Sequence, residues 1–313
     1  MKVERWQLKQ RQGLPLELKI RLSDSRIRDW YKHWGRRVYV AFSGGMDSAV
    51  MLHRVRSIYP DVPAVFVRSL PYPEIMEHVK ATENVIVLRP EKTFKQVIDK
   101  YGWPVVSKRM AQYIGEVQRA KGETATKRLR LTGIKTNGDY SPMGMISQKW
   151  QYLYDAPFSI SDRCCHWLKK KPFKEAENEF GWPFVGVRVA ESQQREQIYY
   201  SYGCNAVDTK RPRSWPLAFW TDADIWQYIA QFNVPYSRLY DMGYTRSGCM
   251  FCGFGAHLEP EPNRFQRMRV THPRQYEYAM FKLGMGEILD YIGVEWREPK
   301  QTELFSRDKY TVR

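Results

Sequence analysis

The stretch Val38-Tyr39-Val40-Ala41-Phe42-Ser43-Gly44-Gly45-Met46-Asp47-Ser48 decides how this chain folds. Residues 38–42 are mostly β-branched, aromatic or small, which predicts a short buried strand. The Ser-Gly-Gly that follows ends the strand, and residues 49–58 carry the apolar spacing of a helix. The sequence therefore predicts a strand, a glycine turn and a helix, in that order.

Such a turn is suited to binding an anion. Backbone N–H groups point outward at a helix N-terminus, where the helix dipole favours negative charge. Gly44 and Gly45 allow the backbone to approach a phosphate closely, and the Ser43 and Ser48 hydroxyls can donate to it. Asp47 adds a carboxylate, which suits a bridging cation such as Mg²⁺. No Gly-Lys-Ser/Thr follows, so this is not a Walker A loop. A tight turn with an ordinary Asp/Ser helix cap is the alternative interpretation.

Strands and helices alternate after this turn. We expect strands at 61–67, 84–88 and 182–188, and helices at 71–80, 93–100 and 222–231, the last with Thr221 as its N-cap. This spacing predicts an α/β fold with a doubly wound, mostly parallel sheet. In such sheets the ligand lies at the carboxyl ends of the strands. The end of the second strand, residues 67–69, is a candidate place for backbone hydrogen bonds to that ligand.

We divide the chain into three regions. Residues 1–36 form an N-terminal helical segment, residues 37–235 the nucleotide-binding α/β domain, and residues 236–313 a C-terminal region of basic helices, one of them within 274–289. A helical, partly flexible basic insertion interrupts the middle domain at 105–150. Its basic side chains are Lys108, Arg109, Arg119, Lys121, Lys127, Arg128, Arg130, Lys135 and Lys149.

The charge balance indicates a polyanionic partner. The 313 residues carry a formal net charge of +16, which favours nucleic acid over a simple solubility role. For the insertion itself, a solvated charged face and a nucleic-acid groove are equally good interpretations. The chain has no apolar run long enough to span a membrane, and residues 1–5 lack an apolar signal core. We therefore expect a cytoplasmic protein with no membrane partner.

Four of the five cysteines form two pairs. Cys164 and Cys165 are adjacent, whereas Cys249 and Cys252 form a Cys-x-x-Cys flanked by glycines. Two thiolate pairs suit a 4Fe-4S cluster or a tetrahedral zinc ion. Adjacent cysteines are awkward on one small ion but can reach separate corners of a cubane, so the cluster is the favoured interpretation, with zinc and unliganded thiols as alternatives. Cys204 is expected to be a buried structural thiol.

These motifs resemble those of the PP-loop ATP pyrophosphatases, which include the PAPS reductase superfamily. The loop at 43–48 is similar to their S-G-G-x-D-S, and Gly186 to Arg195 is similar to their G-x-R-x-x-[EQ]-S-x-x-R. Pro216 to Trp226 looks like their P-L-x-x-W-[ST]-x-x-D-[IV]-W, a packing and helix-capping segment. The two cysteine pairs look like the cluster motif of adenylyl-sulfate reductases and of DNA phosphorothioation enzymes.

The resemblance implies an adenine nucleotide α-hydrolase-like fold and a set of site residues. ATP would lie on Ser43, Gly44, Gly45, Asp47 and Ser48 with Mg²⁺, and Arg188 and Arg195 would neutralise its phosphates. Asp47, Ser48 and Arg188 are the candidate catalytic residues. The cluster ligands would be Cys164, Cys165, Cys249 and Cys252.

Within this superfamily, sulfonucleotide reductases use a cysteine near the C-terminus as nucleophile. No cysteine follows Cys252 here, and the chain ends Lys309-Tyr310-Thr311-Val312-Arg313. The chain therefore looks most like the ATP pyrophosphatase of DNA phosphorothioation systems, the DndC or SspD type. That resemblance implies DNA, a cysteine desulfurase as sulfur donor and other subunits of the system as partners.

Three alternatives remain open at this stage. The chain could be a PP-loop tRNA thiolase, although we recognise no separate RNA-binding domain. It could be an APS or PAPS reductase whose nucleophile is supplied unusually, for example by Cys204. It could also be a nucleotide-sensing DNA-binding subunit with a structural metal and no enzymatic activity.

Overall fold

A computed structural model describes residues 3–298. The last five residues of the sequence, where a reductase nucleophile was sought, lie outside the described residues. The strands are β1 Val38–Ala41, β2 Ala64–Val67, β3 Val85–Leu88, β4 Val105–Val106, β5 Trp182–Val185, β6 Asn205–Ala206, β7 Arg213–Ser214 and β8 Gly253–Phe254. The helices are α1 Arg5–Gln12, α2 Leu16–His33, α3 Met46–Arg56, α4 Pro73–Ala81, α5 Phe94–Tyr101, α6 Lys108–Gln118, α7 Ala125–Thr132, α8 Arg163–Cys165, α9 Lys171–Phe180, α10 Gln193–Tyr202, α11 Asp222–Phe232, α12 Arg264–Thr271, α13 Pro273–Glu277 and α14 Met285–Tyr291.

The predicted α/β fold with a mostly parallel sheet is confirmed. Six strands form one sheet in the order β3-β2-β1-β5-β7-β6, and only the β6–β7 pairing is antiparallel. The chain moves outward from β1 to β3 on one side and then returns to place β5 on the other side of β1. Strand order therefore reverses between β1 and β5, and such a switch point opens a crevice at the carboxyl ends of the strands.

The central strand is buried because its side chains pack on both faces of the sheet. Tyr39 and Val40 are fully buried, and Phe42 directly after the strand is only 1% exposed. A near-continuous apolar run of this kind is typical of a strand covered on both faces. A buried ion pair holds α2 to α11, since Lys19 Nζ lies 2.6 Å from Asp224 Oδ2.

The chain divides into two compact units. The first runs from the N-terminus to Glu91 and continues over Trp167–Met250, and the second comprises Lys92–His166 and the chain from Phe251 on. The first unit contains the six-stranded sheet, and the second contains the parallel pair β4–β8. These limits differ from the divisions expected at residues 36, 235 and 105–150, because segments far apart in sequence pack into the same unit.

Local signals placed most elements within a few residues. Helix α3 begins at Met46, three residues earlier than expected, since Gly45 is its N-cap. Thr221 caps α11 as predicted and accepts a hydrogen bond from the Asp224 amide. The helical structure expected within 274–289 is found as α13, a π-helical turn at Tyr278–Lys282 and α14. Within residues 3–298, no helix is both long and apolar enough to cross a membrane.

Candidate active site at the carboxyl end of the central strand

Both glycines of the loop after β1 lie where a side chain would not fit. Gly44 has φ +74°, and a Cβ there would lie 2.7 Å from the Cγ2 atom of Ile75 on α4. Gly45 has ordinary dihedrals, but its Cβ would lie 2.2 Å from the Ser247 Oγ. Positive φ and close approach are the two situations that require glycine. The Gly-Gly pair therefore lets the chain turn tightly between the sheet and its neighbours.

The two serines hold the loop in its turn. Ser48 is 3% exposed, and its Oγ donates to the Gly45 carbonyl at 2.8 Å. The same Oγ accepts the Ser43 N–H at 3.1 Å and lies 3.1 Å from the Ser43 Oγ. The Ser43 hydroxyl accepts the Gly45 N–H at 3.3 Å. In this state the serine hydroxyls satisfy groups of the loop itself, and they would have to turn outward to contact a phosphate.

The structure brings Arg188 directly to Asp47. Arg188 follows β5, and its Nε donates to the Asp47 Oδ1 at 2.8 Å. Its Nη1 lies 2.7 Å from the Oδ1 of Asp222, at the start of α11. The Arg188 side chain is only 8% exposed, and that of Asp47 is 24% exposed. The two residues meet because β1 and β5 are adjacent parallel strands whose carboxyl ends lie side by side.

Burial dominates the electrostatics of this pair. It raises the pKa of the Asp47 carboxyl above its ordinary value, and the neighbouring Arg188 guanidinium offsets only part of this effect. For Arg188, burial lowers the pKa, but Asp47 and Asp222 outweigh it and raise the pKa overall. Asp47 is thus held as a carboxylate that is easier to protonate than an exposed aspartate, beside an arginine that stays charged.

Arg195 lies near this pair but faces a different partner. It forms an ion pair with Glu191 one helical turn earlier. The Glu191 carboxylate also accepts the backbone N–H of Arg188 at 2.9 Å. Ser192 caps α10 and accepts the Arg195 N–H at 3.3 Å. The motif from Gly186 to Arg195 is therefore a hydrogen-bonded turn, in which Glu191 joins the two arginines.

Sequence reasoning missed three residues of this site, namely Asp222, Tyr240 and Ser247, and gave a fourth, Gly186, no role of its own. A Cβ at Gly186 would lie 2.6 Å from the Asp47 carbonyl oxygen, so the end of β5 passes against the loop only because this residue is glycine. Asp222 forms an ion pair with Arg188. Tyr240 and Ser247, which lie near the C-terminal end of the first unit in sequence, contact the glycine loop. The glycine of the G-x-R motif was the only one of these with a signal in the sequence.

The cysteine pairs lie in different surroundings. Cys164 and Cys165 form α8 in the second unit, where α8 packs against α5. Cys252 is in the same unit, just before β8. Its carbonyl accepts a hydrogen bond of 2.9 Å from the Arg264 Nη1. Cys249 is the next-to-last residue of the first unit, and its Sγ lies 3.5 Å from the Ser69 Oγ.

No group of three or more His, Cys, Asp or Glu side chains within residues 3–298 is arranged to hold a metal ion. The four thiols expected to bind a cluster are divided between the two units, and their role as a joint ligand set stays a prediction. Mg²⁺ makes a different demand, since it keeps several waters and binds through one or two carboxylates plus substrate phosphates. Asp47 fits that requirement.

Cys204 is buried as expected, with 6% of its surface exposed. Burial raises the pKa of its thiol to about 11. A protonated, enclosed thiol is a poor nucleophile. Cys204 therefore does not fit the role of an alternative reductase nucleophile.

The basic insertion is helical and largely exposed. Two of its cations are paired, Arg130 with Glu116 at 2.7 Å and Lys127 with Glu123 at 3.1 Å. Its other seven basic side chains are exposed, namely Lys108, Arg109, Arg119, Lys121, Arg128, Lys135 and Lys149. Glu123 and Asp139 are the exposed acids of the same segment. The exposed surface of the insertion is thus strongly positive.

Residues 37–130 and 105–253 match the phosphoadenosine phosphosulfate reductase domain. The chain belongs to this family. An adenosine 5'-phosphosulfate reductase from Lysinibacillus sphaericus is 25% identical over 72% of this chain and 77% of that protein. A phosphoadenylyl-sulfate reductase from Candida auris has a similar structure with a TM-score of 0.44, 16% identity and coverage of 80% of this chain and 97% of that one. The U34-tRNA thiolase NcsA from Methanococcus maripaludis, solved with its 4Fe-4S cluster, has a TM-score of 0.36 and 11% identity over 88% of this chain and 80% of that one.

Membership of this family places the chain among enzymes that handle adenine nucleotides at a PP-loop. The matched residues include the loop at 43–48, the Arg188 turn and both cysteine pairs. Family membership does not distinguish ATP cleavage from reduction of a sulfonucleotide.

Proposed function

We propose that the protein is an ATP pyrophosphatase that activates a nucleic-acid backbone phosphate for sulfur incorporation, as in DNA phosphorothioation. The observation that carries the proposal is the contact between Asp47 and Arg188 on the glycine loop. It supplies a carboxylate for Mg²⁺ and a buried guanidinium for phosphate at the carboxyl end of the central strand. Cleavage between the α and β phosphates needs both kinds of group.

The reaction balances in two displacements. An oxygen of the backbone phosphate attacks the α-phosphorus of ATP, and the bond from that phosphorus to the oxygen bridging to the β-phosphate breaks, so pyrophosphate leaves. A sulfur nucleophile then attacks the activated backbone phosphorus, and AMP leaves with the bridging oxygen. We propose that the sulfur comes from the persulfide of a cysteine desulfurase, with a thiol reductant cleaving the remaining sulfur–sulfur bond.

Each side chain has a distinct task in this proposal. Asp47 would hold Mg²⁺, which would supply positive charge to shield the pyrophosphate. Arg188 neutralises the charge that develops on the leaving group, since a guanidinium can form two parallel hydrogen bonds to phosphate oxygens. Arg195 adds a second positive charge, held in place by Glu191. Ser43 and Ser48 donate to phosphate oxygens once their hydroxyls turn outward.

We further propose that the insertion binds the DNA backbone. Seven exposed cations against two exposed acids make this segment attractive to a polyanion. In the same proposal Cys164, Cys165, Cys249 and Cys252 bind a 4Fe-4S cluster, with zinc as the second possibility, and other phosphorothioation subunits are partners. The sequence motif is the support for the cluster.

A sulfonucleotide reductase is the second candidate, favoured by the adenosine 5'-phosphosulfate reductase among the relatives. That chemistry needs a nucleophilic cysteine outside the two pairs. Cys204 does not fit that role, because it is buried with a raised pKa. This observation weighs against a reductase that uses Cys204 as its nucleophile.

The deciding experiment measures the products of ATP and of adenylyl sulfate. Protein purified without oxygen is incubated with Mg²⁺ and ATP, with and without DNA, and pyrophosphate and AMP are quantified. We expect equal amounts of both, and their loss by about 10²-fold or more in Asp47→Asn. The control Asp61→Asn changes an exposed aspartate before β2, at the opposite edge of the sheet, and should match the wild type. Sulfite from adenylyl sulfate and a thiol donor, without pyrophosphate from ATP, would establish the reductase instead.

A further inference from the structure

A tyrosine that is distant in sequence accepts a hydrogen bond from a backbone amide at the end of the glycine loop. The Met46 N–H, at the first position of α3, donates to the Tyr240 Oη at 3.1 Å. N–H groups of the first helical turn lack partners within the helix and are the groups that bind phosphate at such loops. The phenol oxygen therefore takes a position that a phosphate oxygen would be expected to fill.

The Ser247 side chain packs against Gly45, the residue before Met46 in the same loop. A Cβ at Gly45 would lie 2.2 Å from the Ser247 Oγ and 2.9 Å from the Tyr240 Oη. The Tyr240 and Ser247 hydroxyls also hydrogen-bond to each other, and burial raises the pKa of the Tyr240 phenol, which stays neutral at physiological pH. Two neutral hydroxyl oxygens thus lie against the turn, where nucleotide phosphates would be.

The segment that carries Tyr240 is anchored well enough to hold this position. Its backbone turns at Ser237, whose carbonyl accepts the Tyr240 N–H at 3.2 Å. Leu239 is fully buried, and Tyr244 is 6% exposed. The Tyr236 hydroxyl donates to Asp241 at 3.0 Å rather than to the loop. Residues 236–247, which we call the covering segment, are thus packed in the unit, and the Tyr240 hydroxyl is one of their contacts with the loop.

We propose that Tyr240 competes with the nucleotide for the Met46 amide and so limits the affinity of the loop for phosphate. This inference rests on the proposed function, since it takes ATP as the ligand. A charged phosphate oxygen accepts a stronger hydrogen bond than a neutral phenol, so ATP displaces Tyr240, but only after that contact is broken. Tyr240 is a positioning residue in this account, not a catalytic one.

The direct test compares binding of pyrophosphate and of Mg²⁺–ATP by calorimetry in two matched variants. Tyr240→Phe removes the competing hydroxyl and keeps the ring, and we expect affinity to rise roughly two- to tenfold, the range for one net neutral hydrogen bond. Tyr236→Phe removes a hydroxyl of the same segment that contacts Asp241, and it should bind as the wild type does. Weaker or unchanged binding in Tyr240→Phe would overturn the proposal, because a tyrosine that assists phosphate binding or merely stabilises the fold cannot raise affinity when it is truncated.

Hydrogen exchange provides a second readout that needs no variant. Addition of Mg²⁺–ATP to the wild type should slow amide exchange in residues 43–48 and speed it in residues 236–247. Slower exchange in both segments would mean that Tyr240 closes on the nucleotide, which contradicts competition. Binding of ATP with the expected variant effects but no pyrophosphate release would overturn the proposed function alone. No binding of ATP or pyrophosphate by the wild type would overturn both.

Discussion

Arg188 reaches across 141 residues of sequence to donate its Nε to the Asp47 Oδ1 at 2.8 Å. Both residues are largely buried, and Arg188 is also paired with Asp222. Together with Glu191 and Arg195, these side chains carry three negative and two positive charges. A polyphosphate added to a site with this excess of negative charge needs further positive charge, which explains why Mg²⁺ belongs to the proposed reaction.

Arg188 acts through geometry as well as charge. We expect Arg188→Lys to lower kcat/KM for ATP by about 10²-fold, because lysine keeps the charge but cannot contact Asp47 and a phosphate with a planar fork. Arg195→Lys is the matched control, and its effect should be several-fold at most, since this more exposed side chain pairs with Glu191 just before its own helix. Steady-state pyrophosphate release measures both variants. Equal losses would contradict the central role of Arg188.

Activity should depend on the ionisation of Asp47. Its folded pKa is raised, chiefly by burial, so the carboxylate proposed to hold Mg²⁺ is lost at a higher pH than for an exposed aspartate. Because protonation removes the carboxylate, kcat/KM should fall as the pH is lowered through this raised pKa. In Asp47→Asn the residual activity should lack this acidic limb. A pH profile of pyrophosphate release checks both, and an identical limb in the variant would assign the titration to another group.

Gly186 should be essential to the assembly of the site. Gly186→Ala places a Cβ 2.6 Å from the Asp47 carbonyl oxygen, and backbone atoms after β5 or at the start of α3 must shift to relieve this contact. We expect ATP turnover to drop by about 10²-fold, because a displacement of about 1 Å at a reacting group has effects of this size. Gly13→Ala, where a Cβ meets atoms at ordinary distances of 3.5 and 3.6 Å, is the control. Wild-type turnover in Gly186→Ala would show that this close approach is not needed.

The proposed DNA contact predicts salt-dependent binding that the basic insertion controls. Arg128→Glu combined with Lys135→Glu should weaken DNA binding by about tenfold or more, and should lower the slope of log K against log salt by about 0.9 for each phosphate that the variant no longer neutralises. The double variant Lys32→Glu and Lys80→Glu makes the same charge change at exposed lysines of α2 and α4. Fluorescence anisotropy with labelled DNA compares them. Equal weakening in the two double variants would mean that net charge, and not the basic insertion, determines DNA binding.

The cysteine pairs predict a chromophore. Cys165→Ser should lose the visible absorption of a 4Fe-4S cluster in protein purified without oxygen, since a serine oxygen is a poor replacement for a thiolate. Cys204→Ser, at the buried thiol outside the pairs, should keep the absorption. Iron and zinc analysis of both proteins identifies the metal. An unchanged spectrum in Cys165→Ser would remove this residue from the ligand set, and zinc without iron would favour the alternative.

The sequence by itself determined the local elements of the site. Apolar β-branched residues before two glycines predict a buried strand and a tight turn, since strand propensity and the dihedrals of glycine act over a few residues. Thr221 was recognised as a helix cap for the same reason. These features depend on contacts within one or two turns of chain, and such contacts leave a readable pattern.

Only the tertiary structure decided which residues complete the site. Arg188 meets Asp47 because β5 returns beside β1, and Tyr240 reaches Met46 because residues 236–247 pack over the loop. Cys249 belongs to the first compact unit and Cys164 and Cys252 to the second, a division that the cysteine motifs themselves do not show. Pairings over more than a hundred residues depend on strand order and packing, which a periodic pattern of side chains does not encode. The sequence therefore predicts the chemistry of the loop, whereas the neighbours that contact it are found only in the folded chain.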